Sequence, residues 1–295
     1  MNFKPLVSII IPVYNGANYL EQAIKSALAQ TYLNIEILVI NDGSTDDGAT
    51  EQIALSYGNK IRYLTKSNGG VATALNFGIK HMHGEYFSWL SHDDLYYENK
   101  ISTQVDYLST LENKNIALFS DFDIINKDME LLHRHIFDHS WLTKKPLYAL
   151  LRSCIHGCAL LIPKIFFDKY GLFDESLKTT QDYDLWFKMI RSEKFIHIPQ
   201  VLIKSRQHAE QDTYKHPKVL DEANRLWIMM MDSLTKKEKL TSERNFFDFY
   251  LKMYLFLRDN SPYIQATEYA LKIAKKSSFV YYLLYKYKLR KMTHQ

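Results

Sequence analysis

The stretch LVSIIIPVYNGANYLEQAIKSALAQTYLNIEILVINDGS, Leu6 to Ser44, sets the fold class. Its two apolar runs, LVSIIIPV and IEILVI, are short and β-branched, as strands buried in a parallel sheet are. The amphipathic segment between them, Tyr19 to Gln30, is long enough for a crossover helix. Strand, helix and strand in that order predict a βαβ unit. The pattern continues with a helix from about Asp47 to Tyr57, strand IRYL, a helix from Val71 to Met82 and strand YFSWL. Four strand-helix units thus occupy the first hundred residues.

In open sheets of this kind ligands bind beyond the carboxyl ends of the strands. Those positions are polar at every turn: Tyr14 and Asn15 after the first strand, Asn41 and Asp42 after the second, Asn68 and Gly69 beyond the third, Asp93 and Asp94 after the fourth. Four polar sets converging on one edge predict a site.

Adjacent buried carboxylates repel each other unless a cation or hydrogen-bond donors compensate them. Asp93 and Asp94 suit a hard divalent cation, Mg²⁺ or Mn²⁺, that also bridges to a diphosphate, or else one of them caps the helix starting near Glu98. Asp42 precedes the turn NDGSTDD, where it can accept hydrogen bonds from a uracil ring or ribose, or from the local backbone. Asp182 opens a helix whose dipole favours its ionised form, placing it as a general base or as a cap, a role Asp184 shares.

Bulk composition excludes several classes. With 46% apolar and 24% charged residues the chain reads as globular, and no apolar run approaches the roughly 18 residues of a membrane span. No leader peptide is visible, so the expected location is cytoplasmic. Cys154 and Cys158 make no disulfide framework and read as two small buried thiols. The net charge of +4 is unevenly divided: the segment from Leu271 onward holds seven basic and no acidic residues, leaving 30 basic against 33 acidic elsewhere.

Taken together, IIIPVYNGANYLEQAIKSALAQTY, ILVINDGSTDD, NGGVATALNFGI, WLSHDDLYY and TQDYDLW resemble the family 2 glycosyltransferases of bacterial surface-glycan type, whose fold is GT-A. The match runs from Leu6 to Asp212. The resemblance implies a Rossmann-like, mostly parallel sheet flanked by helices over residues 1–215, with a nucleotide-binding half (1–97), an acceptor half (98–215) and a helical extension over 216–295. It implies an inverting, metal-dependent transfer from a nucleotide-sugar, with UDP expected, to a hydroxyl of a glycan or lipid-linked glycan.

By that resemblance Pro12, Tyr14, Asn15, Asp42, Asn68 and Gly70 hold the nucleotide, and Asp93, Asp94 and His208 hold Mn²⁺ or Mg²⁺. Asp93 also faces the nucleotide, and Asp182 is the catalytic base. Three departures stand out: Ser91 replaces the first acid of the D-x-D motif, Gln181 the acid before the base, and Leu75 a common arginine. The diphosphate is then expected to lean on the metal, Arg206 and Lys66. Two other readings are a sugar-nucleotide-binding protein without activity and a metal-dependent nucleotidyltransferase, although PVYNGANYL has no lysine-rich phosphate loop. The tail LKIAKKSSFVYYLLYKYKLRKMTHQ mixes basic and aromatic residues, which suits peripheral contact with anionic lipid at the inner membrane face or packing on the domain. A nucleic-acid partner is not expected, because the body is net acidic.

Overall fold

A computed structural model describes residues 3–209, 211, 218–278, 280–283 and 285. The chain divides into two compact units, Met1–Pro146 with Ile155–His216, and Leu147–Cys154 with Pro217–Gln295.

In the first unit β1 (Val7–Val13), β2 (Ile35–Asn41), β3 (Arg62–Thr65) and β4 (Tyr86–Trp89) form a parallel sheet, edged by the antiparallel β8 (Ile162–Pro163), in the order β3-β2-β1-β4-β8. Every residue of β1 and β4 is buried, which explains the absence of polar alternation in their sequences. The crossovers are α1 (Leu20–Leu28), α2 (Ala49–Leu55) and α3 (Val71–His81). α1 turns Leu20, Ala23, Ile24 and Ala27 inward. α3 lies close on β1, since a Cβ on Gly78 would stand 2.6 Å from Ile10 Cγ2. This is the GT-A-type mixed α/β architecture that the sequence implied.

A second sheet, in the order β5-β9-β6-β7, was not foreseen. It consists of β5 (Leu95–Tyr96), β6 (Ala117–Ile125), β7 (Leu131–His135) and β9 (Phe195–Arg206). β9 begins with FIHIP and continues past Pro199 as far as Arg206. The connection after β6 holds β7 and α5 (His139–Lys144), which carry His133, His135 and His139. In the segment GCALLIP, Gly157 to Pro163, only Ile162–Pro163 form a named strand. Gly157–Ala159 form a 3-10 turn instead, and Leu161 makes an isolated bridge to Leu118. The helices α4 (Lys100–Ser109), α7 (Lys164–Tyr170) and α8 (Gln181–Ile190) complete this unit.

The second unit is helical: α6 (Tyr148–Leu151), α9 (Val219–Ser233), α10 (Lys236–Ser242), α11 (Phe246–Asn260) and α12 (Ile264–Ser277). Buried Glu243 ties it together, accepting hydrogen bonds from Tyr148 Oη, Arg152 and Lys252. Cys158 is buried as expected, but Cys154 is exposed. Among the described residues no helix is long and apolar enough to cross a membrane. Of the tail read for lipid contact, residues 271–295, the structure describes 271–278, 280–283 and 285, and the rest lie outside the described residues.

Candidate active site

One cavity of about 710 Å³ opens beyond the carboxyl ends of β1, β2 and β4. Pro12, Tyr14, Asn15, Asp42, Asn68, Gly70, Asp93, Asp94, Asp182 and His208 all line it. Lys66 and Arg206 are not among the lining residues.

The first two loops hold each other in place. Asn15 adopts a left-handed φ of 47°, which asparagine tolerates better than most residues. Its backbone N–H donates to Ser44 Oγ, and its side-chain oxygen accepts from Thr45 N–H. Ser44 and Thr45 therefore lock the NDGS turn to β1 and do not cap α2, whose N-cap is Gly48. The Asp42 carboxylate accepts from the N–H groups of Gly69 and Gly70 and from Lys66 Nζ. Asp42 thus shapes the glycine turn, and Lys66, also bonded to Ser67 O and Thr73 Oγ1, has its ammonium committed to that turn. Pocket lysine is supplied instead by Lys178, whose Nζ reaches Gly69 O at 3.4 Å.

The carboxylate pair splits into two environments. Asp93 Oδ2 lies 3.0 Å from His208 Nε2 and accepts from Gln211 Nε2 at 3.2 Å. Asp94 points elsewhere: Oδ1 accepts from Arg206 N–H at 2.8 Å, and Oδ2 accepts from the Cys158 thiol at 3.2 Å. Burial pushes the Asp93 carboxyl up, but His208, His92 and Gln211 together bring it down to about 2. Burial and the neighbouring Asp93 charge push Asp94 well above the usual carboxylate range. Asp93 is held toward its charged form and Asp94 away from it. Neither caps a helix, because Asn99 is the N-cap of α4.

The Asp93–His208 pair fits a divalent cation. Two ligands at right angles on an ion with bonds of about 2.1 Å stand about 3.0 Å apart, which matches the separation here. Asp94 is less suited to that same ion, since one of its oxygens is taken by the backbone at Arg206.

Arg206 is corrected most. At 1% exposure it is among the most buried residues, its guanidinium donating to Asp93 O, Lys127 O and Gln22 Oε1 and lying over the Tyr19 ring. It holds the Asp93–Asp94 loop in place, with its guanidinium engaged by protein groups. Its position at the end of β9 could not reveal this.

Asp182 sits in the first turn of α8, where Oδ1 accepts from Tyr183 N–H. Burial pushes its carboxyl up to about 6. Asp184 is engaged with Lys188, so it does not compete for this position. The adjacent Gln181 is buried in the cavity wall, and its Oε1 has no partner among the described residues. Sequence reading missed Trp89, His156 and Lys178 as lining residues. Of these, only Lys178 carried a signal, as a basic residue three positions before the acid motif.

Carboxylates gathered at the strand ends of a GT-A-type sheet suit a transferase site. Residues 8–171 match the family described as Glycosyl transferase family 2, and the chain belongs to that family. It is 51% identical over 278 residues to an uncharacterized glycosyltransferase of Rickettsia felis, covering 93% of this chain and 46% of that protein. The chain therefore spans about half the length of that relative. A second uncharacterized glycosyltransferase, of Rickettsia typhi, is 50% identical, with 93% of this chain and 86% of that protein covered. Hyaluronan synthase of Pasteurella multocida is 30% identical over 73% of this chain and 22% of its own length. Among solved structures, S. aureus TarS 1-349 in complex with UDP-GlcNAc superposes with a TM-score of 0.66 at 17% identity, covering 92% of this chain and 81% of that one. At that identity the likeness is one of fold.

Proposed function

We propose that the chain is an inverting glycosyltransferase that moves a sugar from a UDP-sugar to a hydroxyl of a glycan or lipid-linked glycan. The observation that carries this reading is one cavity holding both an ionised carboxylate paired with an imidazole, Asp93–His208, and a carboxyl poised near neutrality, Asp182.

Asp93 and His208 would hold Mn²⁺ or Mg²⁺, and the imidazole favours Mn²⁺. Such an ion supplies Lewis-acid stabilisation of the charge on the departing diphosphate. Lys178 adds an ammonium to the cavity wall. Pro12, Tyr14 and Asn15, with the turn organised by Asp42, Asn68 and Gly70, form the floor for base and ribose. Asp182 accepts the proton of the acceptor hydroxyl as its oxygen attacks the anomeric carbon from the face opposite the diphosphate. A pKa near the working pH suits a general base. TarS was solved with UDP-GlcNAc, and hyaluronan synthase is named for a polysaccharide product. These likenesses support a UDP-linked donor and a glycan acceptor. Cytoplasmic placement with peripheral membrane contact is the accompanying proposal for where it acts.

A panel of nucleotide-sugars incubated with the protein, Mn²⁺ and glycan acceptors tests the reading. Release of free UDP, abolished by EDTA, is expected. Release of pyrophosphate, or none with any donor while binding persists, would overturn it.

A further inference from the structure

Behind the Asp93–His208 pair lies a second group of ligating atoms. Asp94, His156 and Cys158 each offer one atom, and these atoms all lie within 4.8 Å of one another. The 3-10 turn Gly157–Ala159 is pressed onto the end of β4, for a Cβ on Gly157 would stand 2.5 Å from Trp89 Cε3. That contact brings Cys158 Sγ to 3.2 Å from Asp94 Oδ2, while His156 Nε2 stands 3.6 Å from the same oxygen.

We propose that Asp94, His156 and Cys158 form a second cation site, of mixed oxygen, nitrogen and sulfur donors, for a thiophilic divalent ion of the Zn²⁺ class. A tetrahedral ion with bonds of about 2.3 Å to sulfur and about 2.0–2.1 Å to nitrogen and oxygen sets its donors about 3.3–3.6 Å apart. The sulfur–oxygen separation of 3.2 Å is about 0.3–0.4 Å shorter than its pair requires and the nitrogen–oxygen separation of 3.6 Å about 0.2–0.3 Å longer, so ligation moves each side chain by a few tenths of an ångström. Sulfur selects against Mg²⁺ and Mn²⁺, so the two sites take different metals. Ser205 Oγ, 3.0 Å from His156 Nε2, and Ser91 Oγ, 3.4 Å from Cys158 Sγ, are neutral oxygens at the rim of the group. His156 and Asp94 line the cavity, which gives an ion its way in.

Binding has a local cost that sets its character. Ligation takes the Nε2 lone pair, so the ring proton moves to Nδ1, and both the 3.2 Å bond from Cys158 N–H to Nδ1 and the 3.0 Å contact of Nε2 with Ser205 Oγ are lost. The thiol proton leaves to solvent, together with any proton held by the Asp94 carboxyl. An ion held against these losses is exchangeable, unlike one that the fold requires. Asp94 Oδ1 stays on Arg206 N–H, and Arg206 Nε stays on Asp93 O. The second site therefore touches the first through the backbone while sharing no ligand with it.

This inference stands apart from the glycosyl-transfer reading, and its test uses metal spectroscopy on the full chain. The chain has two cysteines, so Cys154→Ser leaves Cys158 as the single thiol without altering the site. Titration of that protein with Co²⁺ should raise a thiolate-to-cobalt charge-transfer band that saturates at about one ion per chain and is displaced by Zn²⁺. His156→Gln should weaken Co²⁺ affinity at least about tenfold, and Asp93→Asn should leave the band intact. Absence of the band in folded Cys154→Ser protein, unchanged affinity in His156→Gln, or loss of the band in Asp93→Asn would overturn the proposal.

Discussion

His208 Nε2 stands 3.0 Å from Asp93 Oδ2 although 115 residues separate the two in the chain. β4 delivers Asp93 and β9 leads to His208. Arg206 joins the two strand ends, its backbone N–H bonded to Asp94 and its guanidinium to Asp93 O. The pair is thus built by the meeting of the two sheets.

Asp93→Asn and His208→Ala should each lower Mn²⁺ affinity by at least the roughly 10–100-fold that loss of an outer-shell partner costs. Calorimetry of UDP binding with and without Mn²⁺ measures this. Metal-dependent binding unchanged in both variants would remove the pair from the site.

Asp94→Asn should behave differently. An Asn oxygen at this position can still accept from Arg206 N–H. Metal-dependent UDP binding is expected within a few-fold of wild type, whereas Asp94→Ala strands a buried donor and should cost about 1–3 kcal/mol of stability by urea unfolding. Equal loss of metal-dependent binding in Asp93→Asn and Asp94→Asn would return Asp94 to the ligand set.

Arg206→Ala should lose at least about 2 kcal/mol of stability, since it leaves Asp93 O, Lys127 O and Gln22 Oε1 without their charged donor. A shifted denaturation midpoint reads this directly. A variant of full stability that binds UDP poorly would instead place Arg206 on the diphosphate.

The first sheet was legible because β1, β2 and β4 write their burial into nearly continuous apolar runs. The second was not. β5 is two residues long, β7 exposes Leu131 and Leu132, and the β6–β9 register slips near Asp121. Strand-end carboxylates announced the site in the same way, because polar residues after buried strands stand out. Their division of labour did not, since Asp93 and Asp94 differ only in partners brought by distant segments. Lys66 and Arg206 misled for a related reason: a basic residue near a phosphate edge looks the same whether its donors face ligand or backbone.

The pH dependence of transfer should carry the signature of Asp182. The base acts in its ionised form, and burial raises its pKa to about 6. Above that pH the rate should be level. Below it the ionised fraction, and with it kcat/KM, should fall about tenfold per pH unit. A limb that stays flat well below pH 6 would assign the proton to another group.

The most direct measurement is turnover of wild type and Asp182→Asn with saturating UDP-sugar, acceptor and Mn²⁺, alongside UDP affinity for both. Removal of a general base should lower turnover by about 10²–10⁴-fold while UDP affinity holds. Wild-type turnover in Asp182→Asn, with the protein folded and UDP bound, would contradict the proposed mechanism.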